Sequence, residues 1–209
     1  MAELVFSLPV PAGGFDTGGG KRSSAERAGT KLPVTMGHEI GGEVAEVGPD
    51  VQAVLVGDKV VVCPWIGCGA CPVCERGDAH LCPRASNTLG IQKPGGDADM
   101  VRVPHARYLV PIGTLAPARA ATFACAGITA LGAICRLGAM TADDMVALKL
   151  LQIGGSYVGS LNDLRELVAL AQRVTLPEIP LDLRPLAKVN EALADLAQGR
   201  VVGRVVLQT

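Results

Sequence analysis

Cys68-Gly69-Ala70-Cys71-Pro72-Val73-Cys74, followed by Cys82, is the stretch from which the rest of the chain can be read. It spaces four cysteines as C-x2-C-x2-C-x7-C. A two-residue spacer lets successive sulfurs fold back to one point, and a longer loop brings in the fourth, which gives the donor set of a tetrahedral zinc site. Four thiolates leave no open position for water or substrate, so the spacing predicts a structural zinc. An iron–sulfur cluster uses a tighter run, with the fourth cysteine three residues after the third. His80, two residues before Cys82, is expected at the surface rather than as a ligand, and Cys63 and Cys135 match no ligand pattern and are expected in the core.

The chain has seven cysteines in all, and its start, Met1-Ala2-Glu3, carries an acid where a signal peptide carries positive charge. Both features point to a reducing, cytoplasmic setting and to metal rather than disulfides. Nineteen Lys and Arg nearly cancel twenty Asp and Glu, which leaves no broad positive field for nucleic acid or an anionic membrane. Only six aromatic residues are present, too few for base-stacking platforms. The uncharged run from Ala120 to Cys135 is 16 residues long, short of the ~20 needed to cross a bilayer, and reads as a buried helix.

Upstream of the cysteines, Glu43-Val44-Ala45-Glu46-Val47 alternates at period two, Gly48-Pro49-Asp50 turns the chain, and Asp58-Lys59-Val60-Val61-Val62 reads as a more buried strand. Residues 1–30, rich in glycine, read as loop. Downstream, Asp99-Met100-Val101-Arg102-Val103 alternates again and Tyr108-Leu109-Val110 comes next, so the first 112 residues are expected to be mostly β, as a barrel or sandwich. Pro117 then opens a helix that ends near Gly138 and faces the core with Phe123, Ile128, Leu131 and Ile134. Leu148 to Ile153 reads as a strand. Ser160, with Asp163 three residues on, caps a helix that buries Leu161, Leu164, Leu167, Val168 and Ala171. A last helix from Pro185 buries Leu186, Val189, Leu193 and Leu196, stops at Gly199, and releases a strand from Val201 to Leu207. The fold class is therefore mainly β with α.

Four motifs agree with one family in type and order. Gly37-His38-Glu39-Ile40-Gly41-Gly42-Glu43-Val44, then Val56-Gly57-Asp58-Lys59-Val60, then the four-cysteine lobe, then Cys125-Ala126-Gly127-Ile128-Thr129-Ala130 resemble the zinc-dependent medium-chain alcohol dehydrogenases. The resemblance implies a GroES-like β-barrel catalytic domain over residues 1–145, with a structural zinc lobe at 68–82. It implies a small α/β remnant of a nucleotide-binding domain, with the C-terminal return segment, over residues 146–209. It further implies a catalytic zinc held by His38 and Cys125, with Glu39 beside it or swung in as a ligand, and a small alcohol or carbonyl substrate near Trp65. Zinc polarises an alcohol oxygen and favours hydride transfer to a nicotinamide, so NAD(P) is expected by resemblance only. No nucleic acid or membrane partner is implied, and the family's pairing of the segment around Leu148–Leu151 suggests a homodimer.

Two family features are missing. No cysteine precedes Cys63, so the first catalytic zinc ligand has no counterpart. No G-x-G-x-x-G stands between a strand and a helix, and residues 146–153, where the nucleotide domain belongs, are too few for a βαβ unit of ~30 residues. Gly154-Gly155-Ser156-Tyr157-Val158-Gly159 reads as a strand-to-helix turn. The expected function is accordingly an alcohol dehydrogenase-family oxidoreductase, truncated, with impaired or absent coenzyme binding. The alternative is a zinc-stabilised, non-catalytic binding or assembly module, or an engineered minimal domain.

Overall fold

The structure is a computed structural model of the 209-residue chain; it describes residues 29–85, 87–137 and 156–209 together with two short strands near the N-terminus. The strand expected at Leu148–Ile153, the turn at Gly154-Gly155 and the expected boundary at residue 145 lie outside the described residues.

β1 (Val5–Ser7), β3 (Ile40–Glu46), β4 (Lys59–Val62) and β5 (Leu109–Pro111) form an antiparallel sheet in the order β1-β3-β4-β5. β3 obeys its sequence pattern, with Ile40 and Val44 buried and Glu43, Ala45 and Glu46 facing solvent. β4 buries Val60, Val61 and Val62 in a row, because both of its faces are covered. A second sheet runs β2-β7-β6, from β2 (Pro9–Pro11), β6 (Leu181–Pro185) and β7 (Arg204–Gln208). Here β2 meets β7 antiparallel and β6 meets β7 in parallel, with α5 (Val189–Ala197) as the crossover that a parallel pair requires.

Two expectations about strands are corrected. Residues 1–30 are not loop throughout, since β1 and β2 find ladder partners far along the chain, which local periodicity does not reveal. The run at Asp99–Val103 makes no ladder: Val101 and Val103 are buried and Arg102 is exposed, yet no described strand pairs with it. Alternation reports which side chains face inward, whereas a strand also needs a partner edge. Outside the short strands, much of the described part of the first 112 residues is irregular.

Five helices are described. Besides α5 these are α1 (Pro72–Glu75) in the cysteine lobe, α2 (Pro117–Ala121), α3 (Ile128–Leu137) and α4 (Leu161–Arg173). A π-helical turn, Phe123–Gly127, joins α2 to α3. Together α2, the turn and α3 are long and apolar enough by length and composition to cross a bilayer, but Ala120, Ala121, Phe123, Ala124 and Ile128 are buried inside the protein. The π turn inserts a residue relative to α-helical spacing and so rotates the faces of α3 about its axis. Ile134, expected in the core, is 64% exposed as a result, and Cys135 beside it is exposed rather than buried.

α2 packs across β3 and β4. Gly41 allows the approach, since a Cβ there would stand 2.4 Å from the Pro117 carbonyl oxygen. α4 carries the expected capping box, with Ser160 Oγ accepting from the Asp163 N–H and the Asp163 carboxylate accepting from the Ser160 N–H. Leu161, Leu164, Leu167 and Val168 join one continuous core with Ile40, Val60–Val62, Val103, Ile112 and Ile128. The last helix starts later than Pro185, which instead closes β6. Its buried residue is Ala192, and together with Val205 and Leu207 this forms a second small core against which Leu186 and Val189 pack. The terminal strand begins at Arg204 rather than Val201.

Candidate metal centres

The first centre lies in the loop between β4 and β5. Cys71 is the N-cap of α1, and its sulfur accepts from the Cys74 N–H at 3.5 Å. Pro72 fits the first turn because its missing N–H would have no partner there. A 3-10 turn at Ala79–Leu81 returns the chain, so that Cys82 Sγ accepts from the Cys68 N–H at 3.4 Å. The four sulfurs lie within 4.8 Å of one another, with Cys68–Cys74 and Cys71–Cys82 each at 3.9 Å. Zinc–sulfur bonds of about 2.3 Å give a tetrahedron with edges of roughly 3.8 Å, so these spacings fit a tetrathiolate zinc and are far beyond a disulfide bond. Gly67 is required by crowding, as a Cβ there would come 2.5 Å from Cys74 Sγ.

The lobe is also prepared electrostatically. Burial opposes ionisation of Cys82, but N–H donors from Cys68 and Arg84, with the Cys74 thiol, outweigh it and bring the Cys82 thiol down to about 6. The Cys74 N–H lowers Cys71 as well, whereas burial pushes Cys74 up to about 11. The N–H donors around Cys71 and Cys82 thus favour the thiolate form that a metal requires.

The second centre gathers three elements. His38 and Glu39 immediately precede β3. Their approach is fixed by the 95–97 segment, whose Gly95, Gly96 and Asp97 N–H groups donate to the carbonyls of Thr35, Gly37 and Met36. Cys125 lies in the π turn, half-buried. Trp65, 7% exposed, donates from Nε1 to the Ala124 carbonyl at 3.3 Å and meets the His38 ring edge-on at 6.1 Å. Tyr157 also meets Trp65 edge-on, at 6.0 Å.

Glu39 does not stand free to reach a metal. It is 4% exposed; Oε1 accepts from the Ala126 N–H at 3.0 Å and Oε2 accepts from Arg204 at the start of β7. The π turn leaves the Ala126 amide available for this bond, and the carboxylate thereby ties β3, the Cys125 turn and β7 together. Burial raises the Glu39 carboxyl while Arg204 and the Ala126 N–H act against it. Burial and the Arg204 charge lower His38, which favours the neutral imidazole that a metal requires. Burial and the neighbouring Glu39 push the Cys125 thiol up to about 11. Among the described residues, the four cysteines are the one set of three or more His, Cys, Asp or Glu groups whose ligand atoms converge this closely.

Nothing local in the sequence marks Arg204 as the partner of an acid 165 residues away, and only the fold brings it to this centre. His80 is corrected: it is half-buried, both ring nitrogens are shielded without a hydrogen-bond partner, and it lines a cavity of about 50 Å³ with Trp65, Thr88 and Tyr157. A larger cavity of about 740 Å³ opens against the lobe, lined in part by Ile66, Cys68, Leu89, Met100 and Arg102. Neither His38 nor Cys125 lines it.

Residues 15–114 match the family described as "Alcohol dehydrogenase GroES-like domain". An NAD-dependent alcohol dehydrogenase of Sulfurisphaera tokodaii is 44% identical over 109 residues, which are 52% of this chain and 31% of that protein. One from Saccharolobus solfataricus has the same identity and the same coverage. The matched region thus spans under a third of the length of these curated relatives. Among solved structures, a cobalt and zinc bound thermostable alcohol dehydrogenase from Pyrobaculum aerophilum superposes with a TM-score of 0.80 at 18% identity, covering 99% of this chain and 91% of that one. The same fold recurs there.

Proposed function

We propose, from the match of residues 15–114 to the alcohol dehydrogenase GroES-like domain family, that the chain is a zinc-binding oxidoreductase of that lineage acting on a small alcohol or carbonyl compound. The observation that carries the proposal is the convergence of Cys68, Cys71, Cys74 and Cys82, whose spacing suits one tightly held structural zinc. His38 and Cys125 are the residues that would hold a second, catalytic zinc, which when bound polarises the oxygen of an alcohol or carbonyl. Two protein donors bind less firmly than the usual three, because no cysteine precedes Cys63 and Glu39 is occupied by Ala126 and Arg204. Glu39 acts as the clasp that sets the Cys125 turn. Trp65 supplies an apolar wall beside His38 and limits access of water.

NAD(P) enters by family resemblance. The parallel pair β6–β7 with α5 is too small to be a dinucleotide fold, and no glycine fingerprint occupies a strand-to-helix turn among the described residues. Residues 1–145 accordingly form the catalytic domain and 146–209 a remnant and return segment; the packing of α4 into the common core supports a remnant docked on the first part. A cytoplasmic setting and a homodimer belong to the same proposal, the former supported by seven free thiols.

A second reading, a zinc-stabilised module without turnover, is favoured by the locked Glu39 alone. A titration with NADH, then alcohol oxidation with and without added zinc, separates the two. Micromolar coenzyme affinity and metal-dependent turnover support the oxidoreductase, and an absence of binding by the zinc-loaded protein supports the module.

A further inference from the structure

We propose that Arg107 is the countercharge of the tetrathiolate zinc lobe, held over the Cys68–Cys71 knuckle by the turn that precedes β5. The inference rests on the reading of the lobe as a zinc site. Four thiolates on one divalent cation leave a net charge of about −2, and such a dianion holds its metal better when N–H donors and a cation lie close by.

The geometry supplies both. At the lobe N–H groups are directed at sulfur, from Cys68 to Cys82 Sγ at 3.4 Å and from Cys74 to Cys71 Sγ at 3.5 Å. Beside the knuckle stands the Arg107 guanidinium: a Cβ at Gly69 would lie 3.3 Å from Nη2 and 3.5 Å from Nη1. Gly69 has a φ of +76°, a conformation that side chains disfavour, so glycine here both permits the turn and clears the space that Arg107 fills.

Arg107 is placed by a chain of contacts. His105 Nδ1 accepts from its backbone N–H at 3.0 Å, its carbonyl accepts from Arg165 Nη2 at 3.3 Å, and its guanidinium lies 5.9 Å from the centre of the Tyr108 ring. Tyr108 Oη in turn accepts from the Gly67 N–H at 3.2 Å, so adjacent residues of one turn meet the chain on either side of Cys68. Of the other arginines in this region, Arg76 pairs with Asp78 and Arg165 donates to Asn162. Arg107 makes no ion pair with a described carboxylate, and its guanidinium lies beside Gly69 of the knuckle.

The test uses the full chain loaded with zinc. Wild type, Arg107→Gln and Arg107→Lys are compared for zinc retention against a competing chelator and for the sulfur-to-cobalt charge-transfer band after cobalt exchange. Arg107→Gln is expected to weaken zinc by about tenfold, the lower end of the effect of outer partners, because Arg107 is exposed. Its cobalt band should move to lower energy, since uncompensated thiolates are more electron-rich. Arg107→Lys should restore most of both, and high salt should narrow the gap between wild type and Arg107→Gln. Unchanged affinity and an unchanged band in Arg107→Gln, or no recovery in Arg107→Lys, overturns the countercharge. A wild-type chain that binds no zinc at all would instead defeat the underlying reading of the lobe.

Discussion

Arg204 reaches from the first residue of β7 to the carboxylate of Glu39, which sits just ahead of β3, and the two meet although 165 residues separate them. The same carboxylate holds the Ala126 amide, so a single buried acid connects the far end of the chain to the turn that bears Cys125. A buried acid that loses its cation keeps its desolvation cost without compensation. Arg204→Ala is therefore expected to lower unfolding stability by about 1–3 kcal/mol in urea titrations. Glu39→Gln in the Arg204→Ala background should recover part of the loss, and strictly additive losses in the double-mutant cycle would show that the pair does not act as a unit.

Metal analysis should find one zinc per chain that survives mild chelation, and a second that is weak or absent. Harsher chelation should remove the first only together with loss of folded signal, and Cys71→Ser should abolish it. Two zinc ions that both resist mild chelation would contradict the assignment of donors at His38 and Cys125.

Trp65 is the chain's one tryptophan and packs beside His38, so its fluorescence reports on the second centre while the lobe stays loaded. Adding cobalt to the zinc-lobe form is expected to quench that emission, and His38→Ala should remove the response. Quenching that persists in His38→Ala would place the metal elsewhere.

Burial raises the Asp97 carboxyl to about 6, and one of its oxygens is shielded without a hydrogen-bond partner. A carboxyl raised in the folded state binds its proton more tightly there than when unfolded. Its favourable contribution is complete below about pH 4 and is lost as pH rises through about 6. Asp97→Asn should stabilise the protein by about 2 kcal/mol at pH 7, with the advantage vanishing near pH 4. Equal stabilities across that range would show that the carboxyl is solvated.

Ser160→Ala removes the acceptor for the Asp163 N–H at the start of α4. A loss of about 1 kcal/mol is expected by thermal or urea unfolding, and Ser160→Asp should retain most of the stability.

The fold and the lobe are legible in the sequence where chemistry is local. The cysteine spacing, the Ser160–Asp163 box, the alternation in β3 and the apolar face of α4 each depend on residues a few positions apart, and each has its counterpart in the structure. The hidden features depend on distant partners or on a break in period. β1 and β2 are strands only because β3 and β7 receive them, and Arg204 has meaning only opposite Glu39. A helical period puts Ile134 in the core, but the π turn interrupts that period. His80 reads as a surface residue because the neighbours that cover it, Trp65 and Tyr157, come from other segments.

The pairing of β2 with β7 bears on how the protein is made. Val10 lies opposite Leu207, so the earlier-made strand must wait for one made far later before either is satisfied. The cysteine lobe, drawn from fifteen consecutive residues, can take up its ion while translation continues. The His38 neighbourhood, whose Glu39 is partnered by Arg204 a further 165 residues along, comes together later, so the two centres form in sequence.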